Sequence, residues 1–276
     1  MLKNPGIGRA LSYLAAAVVI LFLLACLFAE WVAPFPETAV VGSTWSGAFW
    51  QDSSENPAFI LGTDQLGRDV FSRILFGTRN TIAISLITTI FAFLVGATTG
   101  FVAAIEGGWL DQIMSRIVDL LMAIPTLIMT LMILAILGAS LPVLVCVVAV
   151  IDATRVFRLS RLVALNVSSL EYFESARLRG EGIAWLIRKE ILPNVRVPLL
   201  TEFGLRFCFV FLFIASLSFL GLGIQPPTAD LGGMVRDNAS AISYGVLAPL
   251  FPALAIAILV VSINVSLDRY IRRGQK

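Results

Sequence analysis

The feature that most constrains this chain is an unbroken apolar run over residues 11–29, nineteen positions without a charge. Wound as a helix at 1.5 Å per residue, such a run matches the ~30 Å hydrocarbon core of a bilayer. Similar runs recur over residues 81–105, 117–137, 143–163, 203–220 and 246–267. A segment in hydrocarbon must satisfy its own backbone, so each run reads as a transmembrane helix. The charged fraction is 14%, against roughly 25% in soluble domains. The expected fold class is therefore all-α integral membrane, with six transmembrane helices. Lys3 and Arg9 resemble the n-region of a signal peptide, and Leu23-Leu24-Ala25-Cys26 resembles a lipoprotein cleavage box. The apolar run continues through Cys26 into Leu27 and Phe28, so we read it as an uncleaved anchor.

Several function classes drop out on composition. The net charge of +2 comes from few Lys and Arg residues, not gathered into a stripe, so no nucleic-acid partner is expected. Histidine is absent, which removes His-based zinc sites and Ser-His or Cys-His catalysis. Cys26, Cys146 and Cys208 lie in apolar runs with no metal spacing and imply no disulfide framework. No G-x-x-x-x-G-K-[ST] phosphate loop occurs, so the chain has no visible means of hydrolysing ATP. No catalytic residue, metal or cofactor is assigned.

Orientation follows from Lys and Arg. With the N-terminus inside, fifteen of the twenty fall on that side and four, Arg68, Arg73, Arg79 and Arg236, on the other; Arg206 lies in a span. Both termini are thus expected in the cytoplasm, and residues 30–79 outside.

Polar residues within the spans are the next signal. Gly96 and Gly100 have the small-xxx-small spacing that admits a second helix. A short loop with Glu106, Asp111 and Arg116 is expected to lead into the third span, which holds Asp119 and a kink at Pro125. Asp152 and Arg155 share a face of the fourth, and Glu202 and Arg206 open the fifth. Unpaired, such charges cost about 2.5–3.5 kcal/mol each, so these five residues, Asp119, Asp152, Arg155, Glu202 and Arg206, pair or face a hydrated pathway. Arg158 and Arg161 extend the series toward the headgroups, where a helix end already emerging from lipid would serve equally well.

Residues 168–198 gather many of the remaining charges. Ser168 and Glu171 form a capping-box pattern, so a short helix is expected from there to Arg179, ended by Gly180. A second piece over 183–191 is expected to stop at Pro193 and Asn194. The unit exposes Tyr172, Phe173, Trp185, Leu186 and Ile191, which a partner surface would cover. The plainer alternative is a connector with Gly and Pro as helix stops.

This block resembles the cytoplasmic loop of the permease subunits of bacterial ATP-binding-cassette importers, whose pattern is E-A-A, three residues, G, nine residues, I, one residue, L-P. Here it reads Glu174, Ser175, Ala176, then Gly180, then Leu192 and Pro193, with Ser175 for the second Ala and Glu190 for the Ile. The stretch Leu61-Gly62-Thr63-Asp64-Gln65-Leu66-Gly67-Arg68-Asp69-Val70-Phe71-Ser72-Arg73 resembles the segment before the second span in the dipeptide and oligopeptide branch. So does Phe219-Leu220-Gly221-Leu222-Gly223-Ile224-Gln225-Pro226-Pro227-Thr228 after the fifth. Read from the residues alone, Asp69 and Arg73 with Phe71, Ile74 and Leu75 form a short amphipathic interfacial helix with i,i+4 charge pairing, or a solvated turn and helix.

The resemblance implies the six-helix architecture of binding-protein-dependent, type I importers. Residues 1–60 would form an N-terminal anchor and external loop, and 61–276 the permease domain with a coupling loop at 165–198. It implies a bacterial inner-membrane location, a second permease subunit making a heterodimer, two cytosolic ATPase subunits and an extracytoplasmic substrate-binding protein, with peptides as substrate. Glu174, Ser175, Ala176, Gly180, Leu192 and Pro193 would couple to the ATPase. The alternative is a stand-alone secondary transporter or channel using the intramembrane charges; an intramembrane hydrolase lacks a Ser-Lys pair, since no Lys lies in a span.

Overall fold

The computed structural model describes residues 5–47 and 59–274; the charges read at Lys3 and Lys276 lie outside them. In chain order the helices are α1 (Pro5–Leu27), α2 (Ala29–Val32), α3 (Val70–Glu106), α4 (Gly108–Ala123), α5 (Thr126–Leu137), α6 (Leu141–Ser168), α7 (Glu171–Leu178), α8 (Ile183–Leu186), α9 (Leu192–Phe219), α10 (Leu231–Asp237) and α11 (Leu250–Gly274). Among the described residues there is no named strand, only two isolated bridges, Val40 to Arg68 and Thr63 to Asp69. Three stretches are long and apolar enough to cross a bilayer: Val70–Glu106, Ile183–Phe219 and Leu250–Leu267. A fourth is counted if α4 and α5 are taken as one bent span. The apolar part of α1, Tyr13–Ala25, is shorter, and α6 carries Asp152, Arg155, Arg158 and Arg161 along its length.

The chain divides into two compact units. The first comprises residues 1–85, 139–141 and 211–270. Its apolar cluster joins Phe211, Leu231, Ala255 and Leu259, with Phe22, Ile74 and Ile82 packed on it. Its polar framework is the stretch read above as an interfacial helix. That reading is corrected: Phe71 to Leu75 form the first turns of α3, and Asp69 and Arg73 are buried and do not pair through their side chains. Asp69 accepts from the Ser72 N–H (2.8 Å) and hydroxyl (2.6 Å), capping α3. Arg73 turns instead to Asp64 at 3.5 Å. Asp64 also accepts from Leu66 N–H, Arg68 N–H and, at 2.7 Å, Arg68 Nε. The motif is thus a buried turn, in which Asp69 Oδ1 and Arg73 Nε and Nη1 make no hydrogen bond.

Asp230 closes the same unit. Its carboxylate caps α10 through the Gly233 N–H (2.8 Å) and accepts from the Thr81 hydroxyl (2.9 Å). Burial pushes this carboxyl above its ordinary value of 3.8, against the hydrogen bonds from Gly233, Ser218 and Thr81. The folded state therefore binds the proton before the unfolded state does. Stability is higher where Asp230 is protonated, and it falls as pH rises from 3.8 through the raised value. Asp230→Asn, which keeps a capping oxygen, is expected to flatten that fall in thermal melts across the window, and an unchanged slope would contradict the assignment.

The second unit comprises residues 86–138, 142–210 and 271–276. Here α3 and α6 approach closely because Gly96 and Gly100 have no side chain. A Cβ added at Gly96 would lie 2.5 Å from the Ala153 carbonyl oxygen, and one at Gly100 2.7 Å from that of Phe157. The small-xxx-small reading holds. The kink expected at Pro125 is a complete break between two helices. Asp111 and Arg116 are not in a loop but inside α4, and α4 and α5 meet at 88° across Ile124 and Pro125. Proline fixes its own φ and disfavours helical backbone at the residue before it, so the helix ends at Ala123 and restarts at Thr126.

Three expectations for the polar block are also overturned. Ser168 is no cap, because α6 runs through it and its hydroxyl donates back to the Leu165 carbonyl (3.0 Å). Pro193 and Asn194 do not stop the second helical piece. The turn Ile187–Ile191 is wound i→i+5, Leu192 N–H donates to the Ile187 carbonyl, and the wider turn admits the proline ring, so α8 runs on into α9. Asn194 Nδ2 takes up the Glu190 carbonyl (2.6 Å). Glu202 and Arg206 consequently lie well inside α9 rather than opening it. Finally, Phe173, Leu186 and Ile191 are not exposed. They pack with Phe101, Ala104, Ala164 and Val167 from α3 and α6. The chain's own helix ends supply the surface that the sequence reading assigned to a partner.

Candidate functional site

Two features of the second unit answer to the residues singled out in the sequence. The first is α7 with its flanking turns. Its amphipathic spacing sends Phe173 (2% exposed) and Ala176 (0%) into the cluster just described. Glu171, Tyr172, Glu174 and Ser175 point outward. Ser175, at the position of the motif's second Ala, donates its hydroxyl to the Glu171 carbonyl (2.9 Å) and so spends its polarity within the helix. Gly180 ends the segment at φ +84°, a left-handed turn that an L side chain adopts only with strain, and its surroundings are open. Leu192 and Pro193 are exposed on the first turn of α9. The sequence reading missed Leu178, which is 82% exposed at the end of α7. The signal was present: once Phe173 and Ala176 are placed inward, helical spacing puts Leu178 on the outer side.

The second feature is a ladder of charges. Arg161 makes a two-pronged pair with Asp111. Arg158 bonds Asp119 at 2.6 Å, and Arg155 donates to the Thr126 hydroxyl at 3.2 Å. These rungs tie α6 to α4 and to the start of α5, each one turn from the next. Asp152 continues the series toward α9. It is 3% exposed and lies 3.5 Å from Arg206, which is held at 2.7 Å by Glu202 one turn away. The Phe209 ring receives both guanidinium groups, Arg155 at 4.3 Å and Arg206 at 5.4 Å from its centre. The structure thus brings Asp152, Arg155, Glu202 and Arg206 together and leaves Asp119 apart, in a half-exposed pair with Arg158. Two acids and two bases balance within the cluster. Among the described residues no group of three metal-ligating side chains occurs.

Long apolar helices, close glycine-mediated packing and a loop helix seated by Phe173 and Ala176 define a polytopic helical membrane protein. The chain belongs to the family described as "Binding-protein-dependent transport system inner membrane component", whose model matches residues 96–273. It is accordingly a transport permease component. It is similar to the dipeptide transport system permease protein DppC of Haemophilus influenzae, 32% identical over 251 residues that cover 91% of this chain and 85% of the relative. It is also similar to the glutathione transport system permease protein GsiD of Pectobacterium atrosepticum, 34% identical over 91% of this chain and 82% of the relative. Among solved structures, the inward-facing methionine ABC transporter MetNI shares the fold, with a TM-score of 0.57 at 18% identity over 74% of this chain and 96% of that one.

Proposed function

We propose that this chain is one permease subunit of an ATP-driven importer for dipeptides or oligopeptides, coupled to its ATPase through α7 and the Gly180 turn. One observation carries the coupling role: α7 is fixed from beneath by Phe173 and Ala176, yet presents Glu171, Tyr172, Glu174, Ser175 and Leu178 outward. A helix so seated transmits a push to α3 and α6 rather than absorbing it, because packed interiors resist compression. The peptide substrate is supported by the transport roles in the names of DppC and GsiD. The partners we infer are a second permease, two ATPase subunits and an extracytoplasmic binding protein, since this chain has no phosphate loop of its own.

We further infer six spans with both termini in the cytoplasm, from the bias of positive charge. Asp152, Arg155, Glu202 and Arg206 would stand beside the pathway as a neutral internal tie, with Asp119 outside it. Their mutual pairing supports a tie over an ion relay.

Purification of the tagged full chain in mild detergent tests the assembly. Two ATPases and a second polytopic permease are expected with it; recovery of the chain alone or only with itself would overturn the importer reading. Orientation is tested at Leu66, 55% exposed between the first and second predicted spans. Leu66→Cys, in a chain whose native cysteines are replaced by Ala, is expected to react with a membrane-impermeant maleimide on intact cells. Reaction only after permeabilisation would invert the topology.

A further inference from the structure

The helix α4 has three faces, and the assembly described so far uses two of them. Met114, Val118 and Met122 pack on Ala103 and Phe157. Asp111 and Asp119 reach Arg161 and Arg158 of α6. At about 100° per residue, Trp109, Leu120, Ile113, Ile124, Ile117 and Leu110 fall at roughly 20° steps around the remaining arc. Trp109 is 79% exposed, Leu120 71% and Ile117 52%. Arg116, also exposed, flanks this arc.

Two observations identify what covers it. The helix turns 88° from α5, the strongly apolar half of the bent pair. Helices 88° apart cannot both stand along the membrane normal, so with the apolar α5 inserted upright α4 runs along the surface. Ile128, Met132 and Ile136 of α5 are exposed as well. An apolar stripe with a tryptophan at one end and an arginine at its edge matches the boundary between headgroups and acyl chains, where an indole places its ring in the apolar layer and its N–H in the polar one.

We propose that α4 lies flat in the headgroup–acyl boundary of the leaflet from which α7 emerges, with the phospholipid monolayer as its partner. This rests on the upright insertion of α5, not on the coupling role of α7. Its consequence concerns the coupling loop. Asp111 and Asp119 hold Arg161 and Arg158 on the last turns of α6 before α7, so the root of the loop is fastened to a helix fixed at the bilayer surface. That supplies a stationary purchase against which α7 can be pushed.

A depth scan tests it. Single cysteines are placed in turn from residue 109 to 121 of the full chain, with native cysteines replaced by Ala. Each is nitroxide-labelled in phosphatidylcholine–phosphatidylglycerol vesicles and read by collision with oxygen and with a water-soluble nickel chelate. Depth is expected to oscillate with the helical period, deepest at positions 109, 113, 117 and 120, about a constant level. A steady ramp of about 18 Å across the scan, at 1.5 Å per residue, would mean an upright helix and overturn the proposal. Arc positions reached by neither reagent would mean a protein cover and overturn it equally. If the cysteine-free chain does not fold, brominated-lipid quenching of the native chain, compared with Trp109→Phe, reports Trp109 by difference; no loss of quenching on the substitution overturns it. None of these readouts needs transport or the ATPase, so a failed coupling reading leaves them interpretable.

Discussion

Leu178→Asp is expected to abolish ATP-driven uptake while leaving the folded chain as stable as wild type, within about 0.5 kcal/mol, because the side chain is exposed and touches none of the core cluster. A leucine buried at a contact contributes about 1.5–3 kcal/mol. Its loss weakens the hold on an ATPase by roughly tenfold to a hundredfold, and a carboxylate forced into the same pocket adds an unpaired charge. The matched control is Phe173→Ala, five residues away on the inner face. It removes a fully packed ring and is expected to cost about 3–5 kcal/mol of stability. Uptake in vesicles, ATPase co-purification and a thermal melt separate the two. Normal uptake by Leu178→Asp would show that the outer face of α7 touches nothing important, and the coupling role would fall with it.

The second large effect is expected at Arg206. Its guanidinium stands between Glu202 at 2.7 Å and Asp152 at 3.5 Å, and Asp152 Oδ2 is buried without a hydrogen bond. Arg206→Met keeps the length of the side chain and removes the charge, so two acids face Arg155 alone. Breaking one partner of a buried pair costs about 3–5 kcal/mol. The triple variant Arg206→Met, Asp152→Leu, Glu202→Gln removes the uncompensated charges and is expected to recover most of that loss. Melts of all three forms in one detergent decide the matter. A neutral Arg206→Met would mean that water already reaches the cluster, which would return these charges to an open aqueous pathway.

The two sites differ in how much of each is legible in the sequence. Segments whose signal is local were legible. Apolar length alone marked the runs that became α3, α9 and α11, because crossing hydrocarbon demands about twenty apolar residues wherever they occur. Gly96 and Gly100 announced a close helix contact, since only the absence of a side chain allows it. Gly180 announced a turn, and its left-handed φ is that turn. The spacing of Glu174, Ala176 and Gly180 marked a short surface helix and the turn that ends it.

What failed were inferences that treated a local signal as final. Ser168 has the residue types of a cap, but a helix already running through it offered the backbone better bonds. Pro193 has the chemistry of a stop, but the i→i+5 turn ahead of it made room for the ring. Phe173, Leu186 and Ile191 look like exposed anchors in a polar block, yet the ends of α3 and α6 reach far enough to bury them.

The sequence by itself determined the membrane class, the apolar runs, the small-xxx-small glycine spacing and the Gly180 turn, because each depends on neighbours along the chain. Only the tertiary structure decided which acid meets which base, that Arg73 turns to Asp64 and not Asp69, and that α4 departs from α5 at 88°. Those choices are made between segments distant in sequence. There the free energy depends on the register and angle of packed helices, and residue types alone do not specify either.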